Sequence, residues 1–151
     1  MLRADQPKVG VGVLLVDESG RLLLTLRRRP PEAGCWSIVG GKLDYLETLE
    51  QCAVREALEE VGAAISIDSL LCITDHLVPA EGQHRVSPAF LARVSSLDTR
   101  NCEPDKTQEV RWFPIDALPP NLTITARNAI DAYKQRSAAG KPLQGRDLFT
   151  L

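Results

Sequence analysis

Apolar positions recur along the chain with two different periods, and the changes of period mark the elements. Residues 9–16, VGVGVLLV, form a β-branched apolar run, DESG at 17–20 supplies turn residues, and RLLLTL at 21–26 forms a second run. This pattern predicts a hairpin. The basic, proline-containing segment RRRPPEAG at 27–34 predicts a loop, CWSIV at 35–39 a short strand, and Gly40-Gly41 a break after it. The period then lengthens: Leu49, Ala53, Val54, Ala57, Leu58 and Val61 recur at helical spacing. Thr48 and Gln51 are spaced as a capping box and Gly62 as a stop, so a helix is expected from about Leu49 to Gly62.

Strand patterning returns at 63–78 and 84–95 around the turn PAEGQ, with Pro88 predicting an edge position or a bulge. EVRWFPI at 109–115 predicts another strand, IDALPP a helical turn, and 124–140 a capped amphipathic helix closed by a glycine. Residues 141–151 read as a loosely held tail. Strands around a middle helix, with a second helix at the end, predict a mixed α/β fold with helices on both sides of a sheet. No repeat or linker cuts the chain, so one domain over 1–151 is expected, with a core of about 8–138.

At 151 residues the chain buries roughly 70% of its unfolded surface. The net charge of −2 gives no general attraction to nucleic acid or anionic membrane. Any anionic ligand must be drawn by local charge or by a metal. The four cysteines, Cys35, Cys52, Cys72 and Cys102, lack a CxxC pair or nearby histidines at ligand spacing, which disfavours zinc and a disulfide framework and predicts reduced, buried thiols. No leader-like apolar segment or span of ~18 apolar residues occurs, so a cytoplasmic location and no membrane partner are expected.

The chemistry concentrates in GGKLDYLETLEQCAVREALEEVGA, residues 40–63. Glu56, Glu59 and Glu60 are related by i,i+3 and i,i+4 steps, which gathers three like charges on one side of a helical turn. Each such pair costs only a few tenths of a kcal/mol in water, so repulsion alone does not make a site. What singles the helix out is the company it keeps. Gly40 and Gly41 let backbone carbonyls pass close by, and Arg55 is spaced to hold Glu59 or Glu47. Oxygen ligands in this number suit Mg²⁺ or Mn²⁺, with a diphosphate completing the coordination.

These residues carry a family resemblance. Gly41, Glu47, Arg55, Glu56, Ala57, Glu59, Glu60, Gly62 and Ala63 stand in register with the Nudix box, and every defined position matches. The flanking VGVGV and EPDKTQEVRWFPIDALPP resemble MutT-type nucleoside triphosphate pyrophosphohydrolases of the cytosolic branch. The resemblance implies a Nudix fold, an α/β/α sandwich around a mixed sheet whose box forms a loop, a helix and a loop. It implies that Glu56, Glu59, Glu60 and the carbonyl of Gly40 bind the divalent metal, and that Glu47 and Arg55 orient the loop and helix. The implied reaction is attack of a metal-activated water on a phosphorus of a nucleoside diphosphate linked to X. The expected reaction releases a nucleoside monophosphate and pyrophosphate from a nucleoside triphosphate. An ADP-ribose or nucleotide-sugar pyrophosphatase and a non-catalytic nucleotide-binding module are the rival readings.

Glu56 or a carboxylate of another loop would accept the proton, with Glu103, Asp105 and Glu109 as candidates outside the box. Val39, Asp44 and Leu46 replace the proline, glutamate and glycine common beside the box, and Leu46 restricts the backbone just before Glu47. For substrate, Arg27, Gly41 and Lys42 are the expected contacts, Arg27 being the first choice among Arg27, Arg28 and Arg29 as a phosphate clamp. Trp36 and Phe90 could stack a base, although aromatics at strand positions more often fill a core, as Trp112 is expected to do. His76 and His84 have no evident partner, and a small-molecule nucleotide is the expected ligand, with homodimerisation left undecided.

Overall fold

The central strand, β1, spans Lys8–Val16 and is sided by alternation. Val11, Val13 and Leu15 point to one face, and Leu14 and Val16, with Gly10 and Gly12, to the other. A computed structural model describes residues 6–94 and 98–139. In it β1 is followed by β2 (Leu22–Arg27), β3 (Trp36–Ser37), β4 (Val39–Lys42), α1 (Leu49–Val61), β5 (Ile65–Val78), β6 (Gln83–Val94), β7 (Thr107–Phe113) and α2 (Ile124–Ala139). The sheet has seven strands in the order β3-β2-β1-β6-β5, with β4 pairing β1 and β7 pairing β2. The β1–β6 pair is parallel and the others are antiparallel.

Each face carries one core and one helix. Val11, Val13, Leu15, Leu23 and Val39 pack with Cys52, Ala53, Ala57 and Val61 of α1. Leu14, Leu22, Leu24 and Trp36 pack with Ala126, Ala129 and Ile130 of α2. The expected mixed sheet between helices is therefore present, and the expected strands and two helices lie within a few residues of their predicted places, whereas IDALPP forms a hydrogen-bonded turn, Ala117 N donating to the Pro114 carbonyl, and no helix. The segment 35–39 becomes two short strands, the second of which carries both glycines. The glycine stop expected at Gly140 and the tail at 141–151 lie outside the described residues.

Three expectations change in detail. Pro88 sits in β6, an interior strand, and the bulges fall on β5 instead, between Ile67 and Ser69 and between Leu70 and Cys72. The β1–β6 partners run to Val9–Val86 and resume at Gly12–Ala89, so the ladder skips the residue with no N–H to give. The apolar stripe of α1 is narrower than its sequence, because the helix seats on Cys52, Ala53, Ala57 and Val61 and leaves Val54 and Leu58 exposed. Of the cysteines, all free, only Cys52 is fully buried. No helix among the described residues is long and apolar enough to cross a membrane.

His76 finds a partner that the sequence did not reveal. It is buried on β5, and its Nε2 lies 2.6 Å from Oε1 of Glu32, in the loop after β2. A carboxylate only accepts, so the imidazole supplies the proton of this bond. Oε2 of Glu32 accepts from the first backbone N–H of α2, at Ile124 (2.9 Å), while Thr123 Oγ1 accepts from Ala126 N at 3.2 Å. One glutamate thus joins a loop, a strand and a helix N-terminus, where a negative charge is favourable. Glu32→Ala is expected to cost about 1–3 kcal/mol, since it leaves an imidazole and a helix N–H without acceptors. Urea denaturation checks this, and a midpoint equal to the parent's would show that the bridge adds nothing net.

Candidate active site

The loop leading into α1 is shaped by two close approaches. A Cβ at position 40 would lie 2.4 Å from the Val11 carbonyl oxygen, and one at position 41 would lie 2.3 Å from the Glu56 carboxyl carbon. At position 40 the obstacle is backbone, so glycine is a steric requirement there, whereas at position 41 a side chain would have to displace the Glu56 carboxylate. The backbone N–H of Gly40 donates to Glu60 Oε2 at 3.1 Å. At the start of α1 the expected capping box is present: Thr48 accepts from Gln51 N, and the Gln51 side chain accepts from Thr48 N. Gly62 closes the helix in the left-handed conformation, with φ 69°.

Arg55 organises the carboxylates. Its Nε and Nη2 bond both oxygens of Glu47, at 2.7 and 3.0 Å. Nη1 donates to Glu56 Oε1 at 2.9 Å and to Glu59 Oε2 at 3.1 Å, while Nη2 also donates to the carbonyl of Lys42 at 3.0 Å. The hydrogen bonds from Arg55 hold the Glu47 carboxyl down at about 2. Glu56 behaves oppositely: burial raises its carboxyl above the ordinary 4.5 despite Arg55 beside it. Glu60 is 8% exposed, and burial, with Glu56 and Glu103 nearby, pushes it up to about 7.

The three helix carboxylates are therefore not equivalent. Glu60 faces inward, Glu56 is mostly covered, and Glu59 faces solvent. Among the described residues no three His, Cys, Asp or Glu side chains are gathered for a metal, because Arg55 draws Glu56 and Glu59 while Gly40 holds Glu60. The donor set still fits a hard divalent cation: every candidate ligand is oxygen, and two carboxylates are buried at a cost that a cation would offset.

Of these groups Gly40, Glu56 and Glu60 line one end of a cavity of about 410 Å³, whereas Glu47, Arg55 and Glu59 do not line it. Its floor is sheet, with Gly10 and Gly12 beside Ser87 and Ala89 of the neighbouring strand. Arg27, Arg29, Glu32, His76, Arg85 and Thr125 line other parts of it. Of the expected substrate contacts, Arg27, Gly41 and Lys42 all line the cavity, and Arg27 Nε bonds the Pro31 carbonyl at 2.7 Å. Arg28 instead donates to the Pro104 carbonyl and Arg29 to Asp105. Of the carboxylates outside the box, Glu103 lines the cavity, whereas Asp105 pairs with Arg29 and Glu109 with Arg111. Glu103 arrives because its loop docks on the end of α1, with Cys102 N donating to the Glu60 carbonyl and Arg100 N to that of Val61.

Trp36 packs edge-on against Phe113, centroids 4.9 Å apart, and Phe90 lies in the α1-side core, so both fill the interior. Trp112 packs at the margin of that same core. Sequence reasoning did not single out Arg85, Glu32 or Thr123 as cavity residues. For Arg85 a signal exists: it alternates with Ser87 and Ala89, which places a cation on an inward-facing row.

A family model described as the NUDIX domain matches residues 6–133. The chain belongs to the Nudix family. A MutT NUDIX hydrolase from Burkholderia pseudomallei superposes with a TM-score of 0.80 at 44% identity, over 85% of this chain and 98% of that one. An oxidized purine nucleoside triphosphate hydrolase of Danio rerio is 36% identical over 109 residues, 71% of this chain and 67% of the relative. The NAD-capped RNA hydrolase NudC of Pseudomonas aeruginosa is 31% identical over 140 residues, and this chain spans about half of it: 91% of this chain aligns with 49% of the relative. Family and relatives together make this Nudix chain a pyrophosphohydrolase.

Two consequences can be measured. Glu60 keeps its proton to about 7 in the folded protein and to 4.5 when free, so it holds more protons folded than unfolded between those values. The contribution of Glu60 to metal-free stability should therefore be full below 4.5 and be lost as pH rises from 4.5 to 7, and Glu60→Gln should flatten that fall. Melting scans in chelator from pH 5 to 7.5 check this, and an equally steep fall in the variant would assign it to another group. Leu46, 85% exposed, occupies the left-handed region with φ 66°. That conformation costs a side chain roughly 1–2 kcal/mol, which exceeds the flexibility penalty of glycine, about 0.5–1 kcal/mol. Leu46→Gly should thus raise stability by about 0.5–1 kcal/mol in chemical denaturation, provided the loop keeps this turn.

Proposed function

We propose that the protein hydrolyses nucleoside triphosphates to nucleoside monophosphates and pyrophosphate with Mg²⁺, Mn²⁺ being a substitute. The observation that carries this reading is the polarity of the cavity: covered carboxylates of α1 at one end, with Arg27, Lys42 and Lys106 also on its wall. Carboxylates and cations facing one space suit a metal-bound polyphosphate, which needs both. The Danio rerio relative, whose name states an oxidized purine nucleoside triphosphate substrate, supports the same class.

Glu56, Glu59, Glu60 and the Gly40 carbonyl would hold the ion, which when bound neutralises charge on phosphate oxygens and makes the attacking water more acidic. The chain's own groups do the rest. Arg55, tied to Glu47, positions two of the three carboxylates. The water oxygen forms a bond to phosphorus as the bridging P–O bond breaks, and the leaving pyrophosphate takes the electron pair. Glu56, whose proton affinity is raised and which lines the cavity, takes the water's proton, with Glu103 the candidate from the neighbouring loop. Arg27 and Lys42 receive phosphate oxygens.

The test is a Mg²⁺-dependent hydrolysis screen over ordinary and oxidised nucleoside triphosphates, ADP-ribose, nucleotide sugars, NAD and NAD-capped RNA, with products identified. Triphosphates should be turned over fastest, with pyrophosphate released. Turnover confined to dinucleotides or a capped RNA end would replace this reading with that of the Pseudomonas aeruginosa relative's class. Arg55→Ala should lower activity or metal affinity on the order of 10–100-fold, as loss of a group that orients ligands does. Glu59→Gln should cost at least as much, and parental rates in Glu59→Gln would remove Glu59 from the metal site.

A further inference from the structure

Of the charged side chains lining the cavity that the chemistry above does not use, Arg29 and Glu32 are paired within the protein and Arg85 is not. Arg85 lies on β6, opposite Lys8 of β1 and His76 of β5, and is half-buried. A Cβ on Gly10 would stand 3.7 Å from Arg85 Cδ, so the arginine stem runs over the glycine floor. Among the described residues its guanidinium has no hydrogen-bond or ion-pair partner, and the neighbouring charge is Arg27, which like burial works against its own charge. The other arginines without partners there, Arg93, Arg100 and Arg127, are exposed to water.

No carboxylate of the cavity is at liberty to neutralise it. Glu32 is engaged by His76 and Ile124, Glu56 by Arg55, Glu60 by Gly40 and Glu103 by Lys106. Arg27 uses its Nε on the Pro31 carbonyl, which leaves its terminal nitrogens for a ligand. Two guanidinium groups that share a cavity, one of them half-covered and unpaired, form a site whose charge only an incoming anion completes. A diphosphate held at the carboxylate end by metal would already have its charge offset there. A further phosphate would not.

We propose that Arg85, with Arg27, binds the phosphate that a nucleoside triphosphate carries and ADP-ribose lacks, and so sets substrate preference. The assignment rests on the triphosphate reading above, and its test separates the two. Calorimetric binding of inorganic tripolyphosphate in chelator needs neither metal nor turnover. The parent should bind it, Arg85→Gln should weaken binding by at least about tenfold, the loss of a charge-assisted contact, and Arg85→Lys should fall between. In turnover, the ratio of kcat/KM for the best triphosphate over that for ADP-ribose should drop by at least about tenfold in Arg85→Gln. Melting curves of both variants establish that they are folded, and Arg85→Lys keeps the charge should Arg85→Gln fail to fold. Parental tripolyphosphate affinity in Arg85→Gln, no binding by the parent, or an equal loss for both substrates overturns the proposal. If the parent hydrolyses no triphosphate but binds tripolyphosphate through Arg85, the triphosphate reading fails while the anion site stands.

Discussion

The bidentate pair between Arg55 and Glu47 is the interaction on which the site's geometry turns. The loop at 42–47 is tied to α1 through the Arg55 fork, which also accounts for the carbonyl of Lys42 and the carboxylates of Glu56 and Glu59. Only a planar guanidinium supplies that many donors in fixed directions, so lysine could not replace it. The pair also decides the charge state of the helix. Glu47 is kept ionised, while Glu60, which makes no ion pair with Arg55, is left to burial and holds its proton to about 7. One cation thereby separates structural carboxylates from those whose charge is offset only when a ligand arrives.

The sheet contributes space as much as support. β1 is apolar after Lys8, yet on the α2 side Gly10 and Gly12 come before Leu14, and there the core gives way to the cavity. Beyond them Leu14 and Val16 close the layer against α2. The parallel β1–β6 ladder is interrupted beside the same stretch, where Pro88 has no N–H to offer. Cavity and core are thus successive parts of one strand face, divided by side-chain size. The glutamate at 32 anchors the cavity's rim to α2 and to β5 at once.

What was legible in the sequence is what is local. The capping box of Thr48 and Gln51, the stop at Gly62, the glycines at 40 and 41 and the spacing of the box carboxylates are all set within a few residues. The two-sided core also followed, because alternation along β1 and the α1 period encode it directly. What stayed hidden depends on segments meeting across the fold. Glu103 resembled Asp105 and Glu109 until its loop docked on α1, and His76 gained its partner from a residue 44 positions away. Pro88 was misread because the expectation considered where a missing N–H is tolerated at an edge, whereas the interior ladder simply skips it. Leu58 was misplaced because helical spacing gives the direction of a stripe and not the width that small residues leave covered.

The glycine floor has a consequence for how the protein could diversify. At position 12 a methyl group would stand 2.6 Å from the end of the Ile38 side chain, so a change there must disturb the wall of the cavity. At position 10 the nearest atom would be 3.7 Å away, an ordinary van der Waals distance. A single alanine at 10 would therefore raise the floor by one carbon without moving a neighbour. Position 10 is the place where cavity depth is adjustable in small steps, separately from the machinery at the carboxylate end, which gives a gene duplicate a short route to a differently shaped substrate.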